Sequence, residues 1–271
     1  MTQLQSLRQL YRPIQPSIGE TGGNILYKEV APTPTLQGLI YCYWELRTNS
    51  QLDSPYVYRV VADGCIDVFF RLDDASDNYI MGFCRQYNEF SLGHSFHYMG
   101  VRFMPGAFPA LFGNVAHELS NRFEPLVAVN KKLSVFISNN FTPNDAFHAI
   151  ASRLDFFFIS ALHEQKATID ARFYNALTII LKSCGQLSIQ TELQTGLSQR
   201  QLRRYFKRYI GESPNTFSKV IRFQKFLNTN PANKMCQNNQ HYLDFGYYDQ
   251  AHFIKEFKRL YGLSPHVALN R

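Results

Sequence analysis

A chain of 271 residues, 45% of them hydrophobic, has the length for two domains with cores of their own, and its net charge of +7 makes it basic. No run approaches the ~18 apolar residues of a membrane span, and the start MTQLQSLRQLYRP lacks the apolar core of a secretion signal. Cys42, Cys65, Cys84, Cys184 and Cys236 are scattered, odd in number and without a CxxC pair, which argues against a disulfide framework or structural zinc and for a cytoplasmic protein.

Residues 1–35 hold Pro13, Pro16, Gly19, Gly22, Gly23, Pro32 and Pro34, so extended or irregular chain is expected there. Short apolar and aromatic runs follow: LIYCYWEL (39–46), YVYRVV (56–61), CIDVFFRL (65–72), YIMGF (79–83), EFSLG (89–93) and FHYMGVRFM (96–104). Tyr, Phe and Val favour strands, and Asp63-Gly64 and the Asp73–Asn78 segment are turn signals. Five to seven strands at this spacing predict a β-barrel or sandwich.

After Pro105 the texture changes. AFPALFG (107–113) and VAHELS (115–120) suit short helical turns, and helix is predicted from Lys131 onward. Pro143-Asn144-Asp145 opens a segment with Phe147, Ile150, Ala151, Leu154, Phe157 and Phe158 at helical spacing. A further helix over about 168–183 carries Phe173, Ala176, Leu177, Ile180 and Leu181 on one face.

The last third contains a repeat. FKRYIGESP (206–214) and FKRLYGLSP (257–265) share six identities in nine positions at an offset of 51 residues, which also pairs Leu202 with Phe253. Such a repeat means one supersecondary unit used twice. In each copy a capping residue (Ser198, Asp249) precedes a basic helix. That helix buries two residues four apart: Leu202 with Phe206, and Phe253 with Phe257. Gly211 and Gly262 suit the left-handed position that ends a helix, and Ser213-Pro214 and Ser264-Pro265 restart one. Residues 214–228 form the connecting helix, burying Phe217, Val220, Ile221 and Leu227. The apolar faces of this region suit a core of its own. Residues 1–165 hold 12 Lys and Arg against 15 Asp and Glu, a balance of −3, whereas residues 166–271 hold 16 against 6, a balance of +10. The positive charge belongs to the repeat, as expected of a module that binds a polyanion.

GLSQRQLRRYFKRYIGESP (196–214) and GYYDQAHFIKEFKRLYGLSP (246–265) resemble the paired helix-turn-helix units of the AraC/XylS family of bacterial transcription regulators. YCYWEL (41–46), DGCID (63–67) and GVRFMPGAFPALFG (100–113) resemble the sensor domain of one branch of that family, a β-barrel related to the cupin architecture. The resemblance implies an α+β chain of two domains, a β-rich sensor or dimerisation domain (1–128) and an all-α tandem helix-turn-helix domain (166–271), with a helical linker region (129–165). The first unit would cover about 187–211, the connecting helix 214–228 and the second unit about 238–262. The helix before Gly246 carries His241 and Tyr242, after the polar run QNNQ (237–240), where the family has an aliphatic and a small residue. Thr191 and Glu192 stand at those positions before Gly196, so both supporting helices are expected to be short or shifted.

The residues implied to meet DNA follow from the same alignment. In the first unit Arg200, Arg203 and Arg204 fall on positions that reach base edges, where arginine suits guanine, and Lys207 and Arg208 on positions that touch phosphate. In the second, Gln250, Ala251, His252 and Lys255 match, with Gln250 suited to adenine. The partner implied is double-stranded DNA; a small-molecule effector, RNA polymerase and a second copy of the chain are further partners that the resemblance admits. No cofactor, catalytic residue or metal ligand is assigned. His94 and His97 are three apart, which in a strand puts them on opposite faces, and Asp63 suits a turn. Trp44 and its neighbouring tyrosines suit an aromatic core or, failing that, an apolar pocket. The competing classes are a cupin-like enzyme with a tethered DNA-binding tail and an interaction module that has lost DNA binding.

Overall fold

The computed structural model describes residues 7–16, 23–165, 169–229 and 241–269. The described residues hold eight strands: β1 (Ile25–Val30), β2 (Ile40–Thr48), β3 (Tyr56–Val60), β4 (Ile66–Arg71), β5 (Asn78–Met81), β6 (Asn88–Gly93), β7 (His97–Phe103) and β8 (Phe123–Pro125). They form an antiparallel six-stranded sheet in the order β1-β2-β7-β4-β5-β8 and a two-stranded sheet of β3 and β6. The alternation of side chains gives the large sheet two different faces. Tyr43, Val101, Val68 and Ile80 lie in one cross-strand row and are buried on the helix side. The next row, Trp44, Gly100, Phe69 and Tyr79, looks toward the small sheet. There Tyr58, Val60 and Leu92 of β3 and β6 pack against Trp44, Leu46 and Phe69 in a second, smaller core.

The helical side begins with α1 (Ala107–Phe112) and α2 (Leu126–Val129). α3 (Lys131–Asn140) and α4 (Phe147–Glu164) then lie on the back of the large sheet. Phe158 meets Phe103 edge-on at 5.4 Å, Phe141 stacks on Phe70 at 5.3 Å, and Tyr43 donates its hydroxyl to Asp155 Oδ1 at 2.7 Å. The presumed linker helices therefore serve as the second layer of the β domain.

The C-terminal region contains α5 (Ala171–Lys182), α6 (Gln199–Tyr209), α7 (Pro214–Thr229), α8 (His241–Asp244), α9 (Gln250–Tyr261) and α10 (Pro265–Leu269). α7 is common to both units. Its Phe217 packs on Phe206 of α6, and its Phe223 and Phe226 pack on Phe257 and Phe253 of α9. One continuous buried cluster runs from Leu7 to Leu269, so the C-terminal core is shared with the β domain. A Cβ on Gly64 would stand 3.2 Å from Phe217, and the Ala62 N–H donates to the Leu260 carbonyl at 3.3 Å. Glu212, in the turn between α6 and α7, accepts from Arg85 Nε at 2.5 Å and Ser120 Oγ at 2.6 Å. The expectation of a self-sufficient C-terminal core is corrected: part of its apolar face is covered by residues 62–64 and 106–116.

Two other expectations change. Residues 1–35 are not uniformly irregular: residues 7–10 are helical, and ILYKEV pairs along β2 as an edge strand despite the flanking Gly and Pro. Residues 187–197 form turns rather than a helix, held by Glu192 N–H to Ser188 O at 2.9 Å. The run QNNQ (237–240) and Cys236 lie outside the described residues, and within them α8 is four residues long. Among the described residues no helix is long and apolar enough to cross a membrane.

Gly185, in the turn after α5, sits at φ +69°, and a Cβ there would stand 2.1 Å from the Ser218 carbonyl oxygen of α7. Gly185→Ala is expected to destabilise the protein by about 2–4 kcal/mol, through the left-handed backbone and the clash together. Urea unfolding measures it; an unchanged midpoint would show that α5 and α7 are not packed this closely.

Candidate nucleic-acid interface

Each basic helix of the repeat is framed by local chemistry. Ser198 Oγ accepts from Gln201 N–H at 3.3 Å while Gln201 Oε1 accepts from Ser198 N–H at 3.0 Å, a reciprocal cap at the start of α6. Gly211, at φ +98°, closes it by donating to Phe206 O at 2.9 Å. Asp249 Oδ1 accepts from His252 N–H at 2.7 Å to start α9, and Gly262, at φ +96°, ends it. Ser213 and Ser264 then cap α7 and α10.

Burying Leu202 and Phe206 turns the opposite side of α6 to solvent. Arg200, Arg203, Arg204, Lys207 and Arg208 are all exposed. Arg204 and Arg208 lie back over the rings of Tyr205 and Tyr209, each 5.7 Å from the centroid. Arg200, Arg203 and Lys207 form no ion pair with the described residues. The C-terminal end of α6 is seated on the β domain: Tyr209 and Ile210 lie against Gly106, and Gly211 against Ala116. The N-terminal half, with its arginines, is the free half.

On α9, Gln250, Ala251 and Lys255 are exposed. His252 differs: it is half-buried, its ring meets Tyr247 edge-on at 5.6 Å, and its Nδ1 is buried with no hydrogen-bond partner among the described residues. The structure thus gathers the five basic residues on one helix and Gln250 with Lys255 on the other, and turns His252 partly inward.

Sequence reasoning missed the residues that hold the turns. Arg172 of α5 donates to the carbonyl of Gly196 at 3.3 Å, and Arg222 of α7 donates to that of Gly246 at 2.7 Å. Both glycines sit near φ +72°. Arginine and glycine recur with the same separation of 24 residues, so the clamp is a second, longer-range signature of the duplication. Arg222 also reaches Gly185 O at 3.3 Å and lies over the Tyr247 ring at 5.2 Å. Asp170 orients Arg172 through a bidentate contact and caps α5; those hydrogen bonds from Arg172 hold its carboxyl well below the usual range. The 24-residue spacing of the two Arg-Gly pairs was the available signal.

The second feature is a cavity of about 370 Å³ between the two sheets. Arg102, on β7, is 2% exposed and makes a two-pronged contact with Asp67 on β4, with Nη2 to Oδ2 at 3.0 Å. Asp63 and Glu29 each stand 3.5 Å from the guanidinium. Burial pushes the Asp67 carboxyl up to about 6, against the pull of Arg102. Asp63 stands in the expected turn but is buried there: Oδ1 accepts from Cys65 N–H, two residues on, and Oδ2 from Gln15 Nε2, both at 2.9 Å. Trp44 lines the cavity and lies flat on Gly100, where a Cβ would stand 2.0 Å from the indole. A pocket therefore exists beside the aromatic core that was the simpler expectation. His97 bonds to Glu45 at 2.8 Å and His94 to the Leu52 carbonyl at 2.9 Å, so the two are not partners. Among the described residues no three His, Cys, Asp or Glu side chains gather as metal ligands.

Comparison with known proteins adds two matches along the chain. Residues 193–271 match the family model of a Helix-turn-helix domain, and residues 28–125 match a Domain of unknown function (DUF6597). No curated protein matches. Among solved structures, an apo ToxT variant from Vibrio cholerae strain SCE256 is 13% identical, with 92% of this chain and 98% of that chain covered at a TM-score of 0.41. ToxT from Vibrio cholerae O395 bound to (E)-4-(8-methylnaphthalen-1-yl)but-3-enoic acid is 12% identical, with 83% and 96% covered at 0.42.

Arg222→Met keeps the apolar stem but leaves the Gly246 and Gly185 carbonyls without their donor. A loss of about 1–3 kcal/mol is expected. Denaturant unfolding checks this; a variant as stable as the parent would mean that the arginine does not fix the turns.

Proposed function

We propose, from the premise that the chain carries an AraC-type double helix-turn-helix domain at its C-terminus, that this DNA-binding transcription regulator is sequence-specific and is tuned through its β domain. In this reading residues 166–271 engage DNA, residues 1–128 sense a small molecule or dimerise, and residues 129–165 stiffen the sensor sheet. The observation that carries it is the free half of α6: Arg200, Arg203 and Arg204 are exposed at the helix start while the other end is seated on the β domain. Helix-turn-helix proteins place the N-terminal part of the recognition helix against base edges. Arg203 then reads bases, and Lys207, one turn further on, supplies charge to a phosphate. The second unit contributes Gln250 and Lys255, with His252 restrained by its packing on Tyr247.

Three outcomes are expected on a duplex selected by the protein from a random-sequence pool. The balance of +10 over residues 166–271 supports neutralisation of about 5–7 phosphates, so log K is expected to fall with log salt at a slope of roughly −5 to −6. Anisotropy titration measures it, and a slope near zero is incompatible with phosphate gripping. Arg203→Ala is expected to cost about 1–3 kcal/mol and relax preference at one or two base pairs. Lys207→Ala should weaken selected and random DNA alike and make the slope shallower by about 1. A base-by-base binding profile separates them; if Lys207→Ala changes the preferred sequence and Arg203→Ala does not, α6 docks in another orientation.

A further inference from the structure

We propose that the cavity between the two sheets is a binding site for an organic cation with an apolar or aromatic body, with Asp67 as its counter-ion. The assignment rests on reading the β domain as a sensor, and it goes further by fixing the chemistry of what is sensed.

The volume of about 370 Å³ lies in the range of small-molecule sites, and the composition of the walls is the usual one, mainly apolar with a few converging polar groups. Trp44, Tyr58, Phe69, Tyr98 and Phe123 supply aromatic surface. Ring faces are the negative pole of the aromatic quadrupole, so they attract cations and repel anions.

Charge decides between a cationic and an anionic ligand. Arg102 would be the natural seat of a carboxylate, but Asp67, Asp63 and Glu29 already surround it at 3.0, 3.5 and 3.5 Å. That group carries a balance of −2 with all four ionised. Two further carboxylates line the cavity: Glu89 is tied to Arg59 at 2.6 Å, and Asp77 bonds to the Tyr79 hydroxyl, which brings no positive charge. An incoming anion would meet a field that is already negative in a partly desolvated site, whereas a cation would relieve it.

One buried donor points independently to a ligand. Trp44 Nε1 has no hydrogen-bond acceptor among the described residues, in a side chain 6% exposed that lines this cavity, whereas Arg102 Nη1 lies 3.5 Å from Glu29 Oε1. Buried donors left unmatched are rare because each costs its desolvation. A hydroxyl or carbonyl oxygen on the ligand would answer this donor as well, but the cationic head group is what sets the affinity.

The floor of the site also touches the DNA-binding region. Asp63 faces Arg102, while its neighbours Ala62 and Gly64 meet Gln224, Leu260 and Phe217. Occupancy at Asp67 and Arg102 bears on the segment that seats α7 and α9.

Trp44 is the only tryptophan in the chain, so the emission of the full-length protein reports on this cavity directly. Three matched probes, phenethylamine, phenethyl alcohol and phenylacetate, differ in head-group charge. Phenethylamine is expected to change Trp44 emission saturably, with phenethyl alcohol binding at least about tenfold more weakly and phenylacetate weakest. Asp67→Asn is expected to abolish the preference for the amine over the alcohol. Should that variant fail to fold, the series on the unaltered protein stands alone. The proposal is overturned if phenylacetate binds better than phenethylamine, if amine and alcohol bind equally, or if none of the three alters emission up to about 10 mM. No DNA enters the measurement, so a negative result here leaves the salt and base-profile tests of DNA binding untouched, and the reverse also holds.

Discussion

Gln224 sits in the middle of α7 with 1% of its surface exposed, and a buried amide must satisfy one carbonyl and two N–H groups. The β domain and the segment leading into it provide the partners. Oε1 accepts from Ile14 N–H at 2.7 Å, and Nε2 donates to Ala62 O at 2.9 Å and Ile14 O at 3.2 Å. These bonds fix the rotation of α7 about its own axis. Once that rotation is set, Phe217 points to α6, Phe223 and Phe226 point to α9, and Arg222 reaches the turn carbonyls of Gly185 and Gly246. Gln224 thus joins the buried phenylalanines of α7 in setting how α6 and α9 sit against the other domain. Glu212 fastens the turn of the first unit in the same manner, through Arg85 and Ser120.

The division of labour along α6 has the same origin. A helix that must bury Leu202 and Phe206 has its arginines on the remaining arc, and a Gly211 turn seated against Ala116 anchors one end. What is left accessible is the N-terminal half with Arg200, Arg203 and Arg204. The two glycine turns are built alike, each carbonyl gripped by an arginine 24 residues earlier, on α5 for Gly196 and on α7 for Gly246, although the first lacks a regular supporting helix before Gly196. The Arg172 clamp takes over part of what such a helix would do.

Much of this was legible in the residues. Apolar and aromatic runs bounded by turn signals marked β2 to β7, and the caps Ser198 and Asp249, with the terminators Gly211 and Gly262, stand where the repeat placed them. β1 and β8 were not visible because edge strands of six and three residues carry a weak pattern, and β8 pairs with the distant β5, Tyr79 opposite Pro125. The seam was not visible either, since nothing local in Gln224 or Glu212 says that they are buried; only the meeting of two surfaces does. The cavity shows the same limit. Asp67 and Arg102 stand out in the sequence, but that they form one pair flanked by Asp63 and Glu29 depends on the register of β4 against β7 and of β1 against β2.

In the proposed reading one chain presents two helix-turn-helix units to the same duplex through a shared α7. Hydroxyl-radical footprinting of the full-length protein on a duplex selected from a random pool tests it most directly. Two protected segments on one face of the DNA, separated by about one helical turn of roughly 10 base pairs, are expected, one for each unit. A single protected segment that persists at saturating protein would contradict the account, because it would mean that only one of the two units engages DNA.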